Sequence, residues 1–94
     1  LWIGNFRVSS ITLKINEEIT PALRIIEMEK VGPLHQKGIK VNDIIIGING
    51  KESNWNNLTQ SLRFATLGEN LILDFYTFSD KFKTHKFEYT EEKT

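Results

Sequence analysis

Apolar residues alternate with polar ones near the start of the chain. They form two sets of opposite parity, Phe6 and Val8, then Ile11, Leu13 and Ile15. A period of two predicts a β-strand, and the change of phase at Ser9-Ser10 predicts a bulge or a tight turn. The polar segment 16–21 predicts a connection. The apolar run 23–28, with β-branched residues at its centre, predicts a second, buried strand.

The next segment predicts a short helix. Pro33 suits the first helical position, where its missing N–H costs nothing, and Gly38 suits the left-handed residue that ends a helix. The residues between Gly32 and Gly38 leave room for about one and a half turns at 3.6 residues per turn. We therefore expect a single short helix between the two glycines.

A short apolar strand follows this helix. It ends at Asn49-Gly50, a strong turn signal because both residues tolerate positive φ. Strict alternation predicts that one set of side chains faces the core. This set is Ile44, Ile46 and Ile48.

A longer helix and two more strands complete the pattern. Ser53 or Asn54 can cap a helix that runs to about Thr66 and is ended by Gly68. Its apolar residues recur at helical spacing, and they are Trp55, Leu58, Leu62 and Ala65. Alternation at Leu71, Leu73 and Phe75, and again at Phe87 and Tyr89, predicts two strands joined by a hairpin turn at Ser79-Asp80. The order of elements predicts an α+β fold with a mostly antiparallel sheet around one core.

Length and charge set limits on function. The chain has 94 residues, 12 basic and 12 acidic, with 39% apolar content and no cysteine. We expect one domain spanning 1–94, with 90–94 as a flexible tail and no disulfide or thiolate site. Balanced charge predicts no nucleic-acid partner, and no apolar run approaches the length of a membrane span. Because the first residue is Leu1, we expect a piece excised from a longer protein.

No arrangement of side chains typical of catalysis or metal binding is visible in the sequence. His35 and His85 lack a third ligand at suitable spacing, so we expect both to be exposed and no metal or other cofactor to be bound. Neither Ser9-Ser10 nor Ser61 lies in a nucleophile-like pattern. The isolated domain is therefore predicted not to be an enzyme, although a parent protein could be one.

The stretch "GPLHQKGIKVNDIIIGING" resembles the PDZ-domain pattern of a short helix with a glycine stop, an Asp and apolar residues ending in Ile-Asn-Gly. The matching positions are Pro33, Gly38, Ile39, Asp43, Ile44, Ile46, Ile48, Asn49 and Gly50. Downstream, "LTQSLRFATLGENLILDFY" resembles the second helix and closing strands of the family. The sequence departs from the family pattern at Leu34, Lys37 and Asn42. The resemblance implies a PDZ-like, partly open antiparallel β-barrel or sandwich with one short and one longer helix.

The order of elements resembles the PDZ variant of bacterial envelope proteases, in which the recognition strand comes first. That resemblance implies a loop for a peptide's terminal carboxylate at Trp2-Ile3-Gly4, with Asn5 where an apolar residue is usual. The alternative interpretation is a linker from a preceding domain. The recognition strand would contain Phe6 and Val8.

The family resemblance also implies a groove beside the longer helix. Trp55, Thr59 and Leu62 would face the groove, and Leu58 would line its apolar pocket together with Leu62. The alternative for each apolar residue is a place in the core. Family members that prefer Ser or Thr in the ligand have His at the position of Trp55. Because Trp cannot accept a hydrogen bond, an apolar ligand residue is expected instead.

The resemblance implies a non-catalytic module that binds a peptide by strand addition, as a regulatory or substrate-recognition domain of a protease. Its partner would be a peptide or protein C-terminus, or a segment of the parent chain. The isolated domain would be a monomer, and the family variant favours the bacterial cell envelope or secretion. The alternative is a degenerate PDZ-like spacer or intramolecular clamp that binds no free peptide.

Overall fold

The structure, a computed structural model, describes residues 3–77 and 83–90. Five strands and two helices follow one another in the order β1 (Phe6–Ile15), β2 (Glu18–Met28), α1 (Pro33–Gln36), β3 (Ile44–Ile48), α2 (Trp55–Ala65), β4 (Leu71–Thr77) and β5 (Lys83–Tyr89). The hairpin turn predicted at Ser79-Asp80 and residues 91–94 of the predicted tail lie outside the described residues. The α+β fold with one short and one longer helix is confirmed.

The strands form one open antiparallel sheet in the order β1-β2-β3-β4-β5. Consecutive strands are neighbours throughout. A two-residue turn joins β1 to β2, and segments that contain α1 and α2 join β2 to β3 and β3 to β4. Strands β1 and β5 are therefore the two edges of the sheet as far as the described residues extend. This placement leaves one side of β1 without a strand partner.

The core lies between one face of the sheet and the two helices. On β4 the side chains of Leu71, Leu73 and Phe75 are fully buried and alternate with half-buried ones, as predicted. Leu34 from α1 and Leu58 and Ala65 from α2 join the same cluster. Its remaining members are Ile3, Leu23, Ile25, Ile39, Ile45, Ile48 and Phe87.

The first hairpin differs from the prediction at both ends. The register shifts between Arg7 and Val8 rather than at Ser9-Ser10, because Ile26 on β2 is the extra residue of a bulge. The predicted polar connection at 16–21 is largely strand: Asn16 and Glu17, at φ 51° and 68°, form a two-residue turn, and β2 starts at Glu18. Positive φ at both central residues matches the twist of the flanking strands.

The facing of β3 also differs from strict alternation. Ile45 and Ile48 are fully buried, whereas Ile46 is half-buried, so the prediction that Ile46 faces the core is wrong. The physical reason is a bulge, since Ile45 pairs with Phe75 but Gly47 pairs with Asp74. The extra residue moves the following side chains by one position, and Ile48 returns to the core face.

Local signals at turns and helix ends are confirmed. Gly38 has φ +84° and its N–H donates to the His35 carbonyl (2.9 Å). Asn49 and Gly50 both have positive φ and connect β3 to the next segment. Of the two candidate caps of α2, Asn54 takes the role, because its side chain accepts a hydrogen bond from the Asn57 N–H at 2.7 Å. Ser53 is buried instead, and its hydroxyl donates to the Ile45 carbonyl.

Candidate peptide-binding groove

The unpaired edge of β1 is the first component of the site. Within the described residues β1 pairs only with β2, so its outer row of N–H and C=O groups has no strand partner. Phe6 and Val8 lie at the start of this strand, half-buried, and both pack against the core cluster. Arg7 between them is exposed. The start of β1 therefore combines an open edge with apolar side chains.

The loop before β1 is fastened to two other elements. Ile3 is 3% exposed and belongs to the core, and its carbonyl accepts a hydrogen bond from the Leu34 N–H at the start of α1 (3.0 Å). The Asn5 carbonyl accepts one from the Glu29 N–H just after β2 (3.0 Å). Bonds on both sides of Gly4 hold this part of the backbone in place. For residues 3–5 these contacts oppose the alternative of a loose linker, while Trp2 lies outside the described residues.

Gly4 requires a conformation and a space that favour glycine. Its φ is +116°, and a Cβ there would lie 3.0 Å from the Val31 carbonyl oxygen. Gly32, at φ +96°, approaches it so closely that a Cβ on Gly32 would lie 3.1 Å from the Gly4 Cα. Within the described part of the chain, the Gly4 N–H makes no hydrogen bond. A glycine-relieved backbone of this kind can present N–H groups to an anion.

Helix α2 supplies side chains at three depths. Leu58 is fully buried in the core cluster, which fits its alternative place in the core rather than the lining of a ligand pocket. Leu62 and Thr59 are half-buried, and Leu62 packs against the core cluster that Phe6 and Val8 also contact. The Thr59 hydroxyl donates to the Asn56 carbonyl at 3.0 Å. Trp55 at the start of the helix is 61% exposed, which does not fit its alternative role as a cap on the core.

Two residues that shape the site were not identified from the sequence. Gly32 was treated only as the residue before a helical proline, yet it also makes room for Gly4. The side chain of Glu29 is exposed, but its backbone N–H donates a hydrogen bond to the Asn5 carbonyl. Both act through contacts between segments more than 20 residues apart, for which a local pattern gives no signal. The only sign of the contact between these segments in the sequence was the presence of glycine at positions 4 and 32.

Charged groups near β1 form an exposed cross-strand pair. Arg7 Nη1 lies 3.3 Å from Glu27 Oε2, and both side chains are largely exposed. Exposed ion pairs of this kind contribute about 0–1 kcal/mol to the free energy of unfolding. No group of three or more His, Cys, Asp or Glu residues that could hold a metal occurs among residues 3–77 and 83–90, and His35 and His85 are both exposed.

In the same described ranges, neither helix is long and apolar enough to cross a bilayer.

Comparison with known proteins agrees with this geometry. The model of the PDZ-domain family matches residues 5–70, which is more than half of the chain and includes β1, β2, both helices and β3. Neither a curated protein nor a solved structure gave a significant match. PDZ domains are protein-interaction modules that bind peptides by adding a strand to a sheet edge. On the family match and the observed fold, the chain belongs to the PDZ-domain family.

Proposed function

We propose that this domain binds the C-terminus of a peptide or protein, or an extended segment, as an extra strand on the free edge of β1. The observation that carries the proposal is the open edge beside half-buried Phe6 and Val8, next to a loop built around Gly4. Backbone groups of the ligand would complete the hydrogen bonds that β1 leaves open. Side chains that alternate along the ligand would supply specificity.

The loop at Ile3-Gly4-Asn5 supports recognition of a free carboxylate. Its two carbonyls at Ile3 and Asn5 are already occupied by N–H donors from Leu34 and Glu29, which fixes the backbone around Gly4. A carboxylate that accepts a hydrogen bond from a preorganised N–H gains about 1.5–3 kcal/mol. The proposal also includes Trp2, which lies outside the described residues.

Helix α2 supports a preference for an apolar ligand residue. Leu62 and Thr59 offer a half-buried surface, and Trp55 adds an exposed indole at the start of the helix. The indole has an N–H donor but no acceptor, so it cannot receive a hydrogen bond from a ligand hydroxyl. Burial of an apolar ligand side chain here contributes about 25 cal/mol per Å².

We further propose that the domain serves as a regulatory or substrate-recognition part of a protease of the cell envelope. The support is the position of the recognition strand at the start of the domain, followed by its hairpin partner β2. In such an assembly the partner could equally be a segment of the parent chain, held at high effective concentration.

The test is a titration of the isotope-labelled domain with a pair of peptides that share one hydrophobic-ended sequence. One peptide has a free carboxylate and the other an amidated end. We expect resonance shifts at 5–8 and 55–62, and about tenfold weaker binding of the amide, equivalent to about 1.4 kcal/mol. Equal affinity for both peptides would remove the carboxylate role of the loop. No shift with either peptide would favour the spacer or clamp function.

A further inference from the structure

A second concave surface lies beside α1 and adjoins the start of β1 through Met28, which pairs with Phe6. It has a volume of about 430 Å³ and is lined by Met28, Lys30, His35, Ile39, Lys40 and Val41. These residues come from the end of β2, from α1 and from the loop before β3. None of them is among the residues proposed to bind the peptide, although Met28 pairs with Phe6, so the surface, here called the α1 pocket, would be a site additional to the proposed function.

The floor and outer wall of the α1 pocket are apolar. Ile39 is 4% exposed and belongs to the core cluster, and Met28 is half-buried against that cluster. Val41 completes the wall with 44% of its surface exposed, a large value for a valine. An isolated exposed valine is unremarkable, but one that extends a buried apolar floor marks a surface that a ligand can cover.

The loop that carries Lys40 and Val41 is held rigidly. The Asp43 carboxylate accepts a hydrogen bond from the Lys40 N–H (3.0 Å), and the Asp43 N–H donates to the Lys40 carbonyl (3.1 Å). The loop is also bonded to β2, because the Asn42 N–H donates to the Ile25 carbonyl at 2.8 Å and the Ile25 N–H to the Asp43 carbonyl at 2.9 Å. The wall of the α1 pocket is therefore formed before any ligand arrives.

The rim of the α1 pocket is cationic. Lys30, His35 and Lys40 are all exposed, and no acidic residue from the described part of the chain is in the lining. Neither lysine takes part in an ion pair within residues 3–77 and 83–90. The one buried carboxylate nearby, on Asp43, is engaged by the Lys40 backbone N–H. Two unpaired ammonium groups above an apolar floor are complementary to an anionic head with an apolar tail.

From this complementarity we infer that the α1 pocket binds a small amphiphile with a single carboxylate and a short alkyl tail. The volume falls within the range of about 300–1,000 Å³ that is usual for small-molecule sites. The tail covers Met28, Ile39 and Val41, while the carboxylate lies between Lys30 and Lys40. A tail in this position removes Val41 from water, and the head keeps its charge at the solvent-exposed rim.

The test uses sodium octanoate, hexanoate and octanol as probes, kept below aggregation, with resonance shifts of the labelled domain as readout. Octanoate should shift Met28, His35 and Val41. Hexanoate lacks two methylenes and should bind roughly fifteenfold more weakly, since each buried methylene changes affinity about fourfold. Octanol lacks the charge and should bind about fivefold more weakly than octanoate, which is the upper end of the scale of an exposed ion pair.

Two variants with matched controls decide whether the α1 pocket is the site. Val41→Asp should abolish the octanoate shifts, whereas Leu67→Asp, at a 65% exposed leucine after α2, should leave them unchanged. Lys40→Gln should lower octanoate affinity part of the way towards that of octanol, because Lys30 remains, whereas Lys37→Gln, which is not in the lining, should not change it. The Lys40 variant keeps its backbone bonds to Asp43, so it reports on binding even if Val41→Asp perturbs the loop.

Three results would overturn the inference. The first is that octanoate and octanol bind equally. The second is that shifts are confined to Val8, Thr59 and Leu62, which would place the probe in the peptide groove. The third is that no shift occurs at Met28, His35 or Val41 up to the solubility limit of octanoate.

Discussion

The two edges of the sheet, β1 and β5, differ in what lies beside them. Four consecutive residues of β5, from Lys83 to Lys86, are exposed, and Phe87 is its one fully buried side chain. At the start of β1, Phe6 and Val8 are half-buried against the core, and an anchored glycine loop precedes them. An edge that carries lysines discourages pairing with another chain. The same sheet thus has one edge protected by charge and one suited to accept a strand.

This difference separates stability from binding. The fully buried side chains of β3 and β4 lie in the middle of the sheet, where both neighbours are present. The residues of β1 proposed to bind a ligand lie at the margin, half-buried or exposed, whereas Ile3 and Leu58 of the candidate site belong to the core. A substitution in the centre should therefore change the free energy of unfolding, and one at the β1 margin should change affinity with little effect on folding.

The largest effect is expected at the bulge of β3. Ile45→Ala should lower the free energy of unfolding by about 2–5 kcal/mol, because it opens a cavity in the core. Ile46→Ala, one residue on and half-buried, should cost about 1 kcal/mol. Denaturant unfolding of both variants measures the difference. A greater loss at Ile46 than at Ile45 would contradict the observed bulge and restore strict alternation.

The next effect concerns the close approach of Gly32 to Gly4. Gly32→Ala should cost about 2–3 kcal/mol of stability, through strain at positive φ and crowding of the loop. Gly38→Ala is the control, since its φ is also positive but nothing lies within 4 Å of an added Cβ. It should cost about 1–2 kcal/mol from strain alone. Only Gly32→Ala should also weaken peptide binding, as measured by titration. Equal peptide affinity of the two variants would mean that the loop around Gly4 does not contribute to binding.

A smaller effect should separate the two sides of α2. Thr59→Lys, at a half-buried position, should weaken peptide binding at least tenfold, or about 1.4 kcal/mol, by placing a long cation in the groove. Gln60→Lys adds the same charge at the neighbouring exposed position and should change affinity by less than about twofold. Calorimetric titration gives both values. Equal losses would mean that the charge acts at long range rather than in the groove.

The smallest effect is expected from the Arg7–Glu27 pair across β1 and β2. Arg7→Ala should change the free energy of unfolding by less than about 1 kcal/mol, since both side chains are largely exposed, and added salt should reduce the difference further. A double-mutant cycle with Glu27→Gln isolates the pair. A coupling above about 2 kcal/mol would show that this edge of the sheet is far less solvated than described.

Local chemistry made part of the fold predictable. Pro33 and Gly38 delimit α1, and Asn49-Gly50 turns after β3, because each residue type restricts or permits particular backbone angles without help from distant segments. The bulges at Ile26 and Ile46 could not be predicted in this way. These bulges depend on the register in which two paired strands pack against the core. A strictly alternating sequence gives no sign of an extra residue.

The turn at Asn16-Glu17 was missed for a related reason. Glutamate rarely adopts positive φ, so the pair gave no turn signal, and the polar residues 18–21 looked like loop. In the candidate site, the buried place of Leu58 follows from helical spacing. The anchoring of Gly4 by contacts with Gly32, Leu34 and Glu29 does not, because it joins segments that are distant in sequence.

Amide hydrogen exchange at saturation with a hydrophobic-ended, free-acid peptide tests strand addition to β1 most directly. A peptide added as a strand should protect amides of 6–9 that face the open edge, since they gain hydrogen-bond partners. Amides of Lys83–Tyr89 should exchange as they do in the free domain. Protection that arises in β5, or unchanged exchange across β1 while the peptide is bound, would contradict the account.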